Sequence, residues 1–165
     1  MKIAYLTVGP VGENTFIVIN DEADNAALLI DPGDEPENIA RAIEETGADV
    51  KAILLTHTHF DHVGAVKPMV EKLGVEVWVP ELERHILADI NSFLRFPGVG
   101  PFESYEAEHT VAGGEKLELA GFAPAHTARA GDLTFAENDA YLSAAENSAA
   151  TAILAAQLLA SGTLK

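Results

Sequence analysis

Hydrophobic and polar positions change their period several times along the chain, and these changes divide it into elements. Lys2 to Val8 and Thr15 to Ile19 are rich in β-branched and aromatic residues, with the turn-forming stretch Gly9-Pro10-Val11-Gly12 between them. Ala26 to Ile30 is a short unbroken apolar run closed by Asp31-Pro32-Gly33-Asp34, the pattern of a buried strand that feeds a loop. Glu35 to Thr46 carries Ile39, Ala42 and Ile43 at helical spacing, and Gly47 follows as a stop. Val50 to Leu55 predicts another buried strand, Val63 to Leu73 a helix closed by Gly74, and Val75 to Val79 the strand after it. Strands alternating with helices predict an α/β arrangement, in which functional residues gather where strands end.

The pattern loosens further on. Glu81 to Ile90 predicts a helix, and Asn91 to His109, with Pro97, Gly98, Gly100 and Pro101, a loop or lid. Lys116 to Leu119 and Leu133 to Phe135 read as short strands, the second a candidate to pair with Ala140 to Leu142. Residues 120–160 hold 15 alanines, which favour helix and offer little chemistry. Ser143 and Glu146 have capping-box spacing and predict a helix running to about Ala160, before Gly162. Neither a repeat nor a linker divides the chain, so one domain over residues 1–165 is expected.

Composition narrows the chemistry. With 165 residues, 48% of them apolar, the chain is long enough to bury a core. No apolar run approaches the roughly 20 residues that cross a bilayer. The start MKIAYLTVGP reads as a strand rather than a signal peptide, so no membrane association and a cytoplasmic location are the expectation. Cysteine is absent, so any metal must be held by histidine and carboxylate. The net charge of −16, from 26 acidic and 10 basic residues, repels a phosphate backbone and excludes nucleic acid as a partner. Otherwise the acidity describes a solvated surface of the kind that suits high salt.

Within that frame Thr56-His57-Thr58-His59-Phe60-Asp61-His62 stands out, because three of the six histidines fall here beside an aspartate, directly after a buried strand. His57 and His59, two apart in extended backbone, can point to the same side. Asp61 and His62 lie across the turn, near enough to serve a second ion. Imidazole and carboxylate together suit Zn²⁺, Fe²⁺ or Mn²⁺. A chance cluster of surface histidines is the plain alternative, and the density of donors argues against it. His85, at helical spacing among Leu82, Ile86 and Asp89, and His109, in a polar turn before Val111, read as ordinary histidines.

THTHFDH matches the signature of the metallo-β-lactamase superfamily. GPVGENTFIV, LLIDPGDEPENI and KAILLTHTHFDHVGAV resemble, in order and spacing, its glyoxalase II-like (hydroxyacylglutathione hydrolase) branch, and GPFESYEAEHTVAGGEKLEL does so more loosely. The resemblance is good to about residue 120 and poor beyond. It implies a four-layer αββα sandwich, shortened at its C-terminal end, with metals at one edge between two sheets. It also implies that His57 and His59 bind a first metal and Asp61 and His62 a second. His126, in Pro124-Ala125-His126-Thr127, would complete the first set. Asp61 would in addition be the catalytic group that orients or deprotonates water, and Asp31 would orient a ligand histidine. Two family ligands have no plain match. The carboxylate that bridges both ions would be replaced by Glu146 or, more weakly, by Asp132, and the capping-box reading competes for Glu146. No histidine follows His126 to supply the last ligand, and the glutathione-binding tail is missing with it.

The function implied is hydrolysis of a thioester or related activated ester by a metal-bound hydroxide, with one or two Zn²⁺ ions as cofactor and a small-molecule substrate. A thiolate leaves without a strong general acid, which suits a site with few proton donors. Two alternatives stay open. One is a mononuclear-iron oxygenase of the persulfide dioxygenase type, built on two histidines and one carboxylate. The other is a metal-binding but catalytically weak member of the fold, suggested by the alanines at 123, 125, 128, 144 and 145. Arg95, Lys67 and Arg129 are the nearest basic residues that could meet an anionic substrate group. Ile153, Leu154 and Leu158 could pack on a partner as well as on the core, which leaves the oligomeric state open.

Overall fold

Ala26-Ala27-Leu28-Leu29-Ile30 has no exposed residue, and the reason is that both faces of its sheet are covered. The computed structural model describes residues 1–112 and the backbone of two further strands. Six strands, β1 (Lys2–Val8), β2 (Glu13–Asn20), β3 (Ala26–Ile30), β4 (Asp49–Leu54), β5 (Glu76–Pro80) and β6 (His109–Val111), form one sheet in sequence order. The first three pair antiparallel and the rest parallel. The β1–β2 turn closes with the Gly12 N–H donating to the Gly9 carbonyl, both glycines at positive φ.

Period-2 alternation divides the side chains between two cores. Ile17, Ile19, Ala27, Leu29, Ile53, Val77 and Val79 face one side, where Ile39, Ala40 and Ile43 of α1 (Pro36–Thr46) and Val66 and Met69 of α3 (Val66–Leu73) cover them. Val18, Leu28, Ile30, Ala52 and Leu54 face the other, joined by Phe16 and Trp78. Each fully buried leucine or isoleucine contributes about 1.5–3 kcal/mol. The sheet's interior strands therefore fix the register on both faces at once.

Several expectations change. The helix expected over Val63 to Leu73 is two pieces, α2 (Phe60–Val63) and α3, with Gly64 and Ala65 between them. The helix expected over Glu81 to Ile90 is a 3₁₀ turn at Glu81–Glu83, then α4 (Arg84–Ala88) and α5 (Ile90–Phe93), parted at Asp89. His109 is not in a turn: it belongs to β6, stacks on Trp78 and pairs with Glu76 at 2.6 Å.

The strand expected at Leu133 to Phe135 is present as β7 (Leu133–Ala136), and it pairs parallel with β8 (Ala152–Ala155). β8 lies inside the segment expected to be helical up to Ala160. Ala152-Ile153-Leu154-Ala155 is a short unbroken apolar run, which periodicity alone does not assign to helix or strand. The strands expected at Lys116 to Leu119 and Ala140 to Leu142 and the capping box at Ser143 lie outside the described residues. Among the described residues no helix is long and apolar enough to cross a membrane.

Candidate metal centre

Three strands bring their ends to one edge of the sheet. β3 and β4 are parallel neighbours with Ile30 opposite Leu54, so Asp31 and the loop after Leu55 leave the sheet side by side. The Asp31 N–H donates to the Leu54 carbonyl at 3.1 Å. β2 runs the other way, with Phe16 opposite Ile30, so its first residues, Glu13 and Thr15, arrive at the same edge.

The two loops interlock through glycine. A Cβ on Gly33 would stand 1.9 Å from the Asp61 carbonyl oxygen, and one on Gly64 would stand 2.4 Å from the Gly33 oxygen. The Ala65 N–H donates to the Pro32 carbonyl at 3.0 Å. Asp31-Pro32-Gly33 is thereby pressed against His59 to Ala65, and this contact breaks the helix between α2 and α3.

His57, His59 and His62 share one site. His57 Nε2 and His59 Nδ1 are 3.1 Å apart, and the His57 and His62 rings lie 4.0 Å apart between centroids. Two nitrogens on one tetrahedral zinc ion stand about 3.3 Å apart, so the His57–His59 spacing fits a shared ion, as it also fits a hydrogen bond between the rings. Asp61 Oδ2 is 3.7 Å from His62 Nε2. The donor set, three imidazoles and a carboxylate without thiolate, suits Zn²⁺, Fe²⁺ or Mn²⁺.

Support comes from buried polar groups. Asp31, in left-handed backbone at φ 47, accepts the Thr56 N–H at 2.8 Å on Oδ1 and the Thr56 hydroxyl on Oδ2. Its Oδ2 also lies 3.1 Å from His62 Nδ1, which leaves His62 Nε2 free on the side of Asp61. Asp31, His57 and His62 themselves place one ligand atom each within 4.8 Å of one another. Because Asp31 accepts from the Thr56 N–H and hydroxyl and also meets His62 Nδ1, we assign it to support rather than to ligation. On the other flank Glu83 Oε2 accepts the Thr58 N–H at 2.6 Å and the Thr58 hydroxyl at 2.8 Å, tying the loop to the 3₁₀ turn.

Charge follows this geometry. Burial, then the neighbouring His62, hold His57 below the ordinary histidine range. Burial also lowers His62, but its hydrogen bond to Asp31 and the charges of Asp31, Asp61 and Glu13 outweigh it and raise the group. Glu13 is pushed up to about 7, mainly by burial. Thr15 Oγ1 lies 2.8 Å from the Asp31 carbonyl and 3.1 Å from Glu13 Oε2, so its one hydroxyl proton is shared between two acceptors unless Glu13 carries a proton of its own.

Glu13, Thr15 and Glu83 belong to the site without having been singled out in the sequence. The signal for the first two was period 2: Glu13, Thr15, Ile17 and Ile19 share one face of β2, and that face is buried. Of the candidate ligands, His57, His59, Asp61 and His62 are brought together here, while His126, Glu146 and Asp132 lie outside the described residues. His85 packs edge-on against Phe93, and Lys67 is tied to Glu103 at 3.0 Å. The loop expected over residues 91–109 is closed at its neck by Asn91, which exchanges two hydrogen bonds with the Phe102 backbone. It sets Phe96 and Phe102 against Phe60 of the histidine loop, both at 5.7 Å between ring centroids.

Known proteins resemble this chain in sequence and in fold. The sequence model of the Metallo-beta-lactamase superfamily matches residues 8–140. The chain is similar to the probable metallo-hydrolase YqgX of Bacillus subtilis, 35% identical over 127 residues, which are 74% of this chain and 57% of that protein. It is also similar to the hydroxyacylglutathione hydrolase GloC of Haemophilus influenzae, 33% identical over 158 residues, covering 84% of this chain and 68% of that protein. Among solved structures, TTHA1623 in a di-iron-bound form aligns with a TM-score of 0.61 at 37% identity, over 73% of this chain and 58% of that one. The chain thus spans 57% to 68% of the length of these relatives.

Proposed function

The chain belongs to the metallo-beta-lactamase superfamily, and from that premise we propose that it is a metal-dependent hydrolase acting on a small-molecule thioester or related activated ester. The observation that carries the reading is the convergence of His57 Nε2 and His59 Nδ1 at 3.1 Å beside His62 and Asp61. His57, His59 and His126 would hold one ion, and Asp61 and His62 would serve a second. Zn²⁺ is the favoured ion, and the di-iron form of a relative keeps Fe²⁺ in view. Such an ion, when bound, supplies a nucleophile at neutral pH and polarises the substrate carbonyl.

The chain's own residues do the rest. Asp61, partly exposed at the mouth of the site, orients the attacking water and takes its proton. Asp31 and Thr56 keep His62 in one tautomer, and Thr58 with Glu83 fixes the backbone between the two histidines. A thiolate leaving group departs without a general acid.

The test is release of free thiol from a panel of acyl thioesters, with and without a chelator. We expect chelator-sensitive turnover, and Asp61→Asn is expected to lower kcat by roughly 10²–10⁴-fold. No turnover of any thioester by protein with metal confirmed bound would contradict the reading. A second reading, a mononuclear-iron oxygenase, would take two of the loop histidines and the Asp61 carboxylate as its ligands. Oxygen uptake with a persulfide substrate, by iron-loaded protein, would favour it.

A further inference from the structure

Among the described residues, Glu13 Oε1 is the one buried side-chain oxygen or nitrogen without a hydrogen-bond partner. A native structure seldom keeps such an atom without a use for it. The carboxyl group sits at the start of β2 with its side chain 2% exposed, and Oε1 is 3.7 Å from His62 Nδ1. Its other oxygen is anchored, 3.1 Å from Thr15 Oγ1. Gly33 closes the wall behind it, since a Cβ there would come within 2.6 Å of Glu13 Oε2. The group is therefore held by β2 on one side and by the Asp31-Pro32-Gly33 loop on the other, and its unpartnered oxygen is turned to a histidine. Asp31 Oδ2 faces the same Nδ1 atom at 3.1 Å and at the same time accepts the Thr56 hydroxyl, so it shares its acceptor capacity between the two.

We propose that Glu13 is a positioning residue for the metal centre, its Oε1 acting as a second acceptor for the Nδ1–H of His62. The inference rests on the reading of residues 57–62 as that centre. With two acceptors behind it, the imidazole keeps Nε2 toward Asp61 even when the Thr56 hydroxyl draws on Asp31. The unpartnered oxygen is a cost to the metal-free fold that ligand placement would explain.

Two variants of the whole chain separate this role from a structural one. Glu13→Leu keeps the bulk and removes the acceptor, and Glu13→Gln restores an acceptor oxygen. Zn²⁺ affinity is measured by chelator competition, and metal-free melting is followed separately. We expect Glu13→Leu to weaken at least one bound Zn²⁺ by roughly 10- to 100-fold and Glu13→Gln to fall between it and the native chain. Metal-free Glu13→Leu is expected to melt at or above the native temperature, because an unpartnered buried polar atom has been removed. Native affinity in both variants overturns the inference, as does a weakened affinity that merely accompanies a lower metal-free melting temperature. A native chain that binds no Zn²⁺ overturns the metal-centre reading itself, and this inference with it. Should Glu13→Leu not fold, the nitrogen-bound proton of His62 in Glu13→Gln decides: its resonance is expected to shift, and an unchanged resonance overturns the proposal.

Discussion

Side chains from inside the histidine loop and from two other segments hold it in place. Thr56 Oγ1 lies 3.0 Å from His57 Nδ1, Asp31 lies at His62 Nδ1, and Glu83 holds the peptide between His57 and His59. The histidines and Asp61 were legible because the sequence crowds donors into one loop. Glu83 was not, because nothing in the sequence brings residue 83 to residue 58 before β4 and β5 pair. Glu13 was partly legible: an acidic residue in phase with Thr15, Ile17 and Ile19 on a strand predicts a buried carboxyl group, though not what it faces. The Glu83 contact makes its own prediction. Thr58 is buried, and Thr58→Val keeps its shape while removing the hydroxyl donor to Glu83. Denaturant unfolding should show a loss of about 1–3 kcal/mol, and an unchanged midpoint would argue that this bond does not hold the loop.

At the level of elements, β1, β2, β3, α1, β4 and β5 were read correctly because their signals are local: alternation, helical spacing or a short apolar run bounded by turn residues. The parts read wrongly have tertiary causes. Gly64 and Ala65 interrupt a helical pattern because the Gly33 peptide occupies the space beside them. Gly64→Ala should therefore destabilise the fold by about 1–3 kcal/mol through overpacking, measurable as a lowered melting temperature, and native melting would show that the interlock is looser than it looks. The edge of the sheet gives a pH prediction. Burial raises the carboxyl group of Glu108, but hydrogen bonds from Tyr105 at 2.6 Å and from the Val77 N–H at 2.9 Å outweigh it and leave the group below its ordinary 4.5. A depressed carboxyl pKa adds stability that is fully present above the unfolded value and is lost as pH falls through the folded one. The melting difference between native chain and Glu108→Gln should therefore be present at neutral pH and vanish in acid below the depressed pKa. A difference that is constant across that range would remove the carboxylate from the explanation.

Across the whole molecule, a mixed sheet covered on both faces places loops from three strands at one edge, and the α/β alternation of the sequence already pointed to strand ends as the place for them. The net charge of −16 acts at the same scale. Mutual repulsion should weaken the fold at low ionic strength, so the melting temperature should rise from about 0.01 to 1 M salt as screening shortens. A flat or falling curve would show that the acidic groups are spaced too widely to repel one another. The acidity also concentrates cations near the surface, which helps a metal ion reach the site. The claim that joins these scales is that residues 57–62 hold a metal ion. Elemental analysis of the zinc-supplemented chain after gel filtration, beside a His57→Ala/His59→Ala double variant, tests it most directly. We expect at least one ion retained per native chain and loss of that ion from the variant; a metal-free native chain, or undiminished metal in the variant, would contradict it.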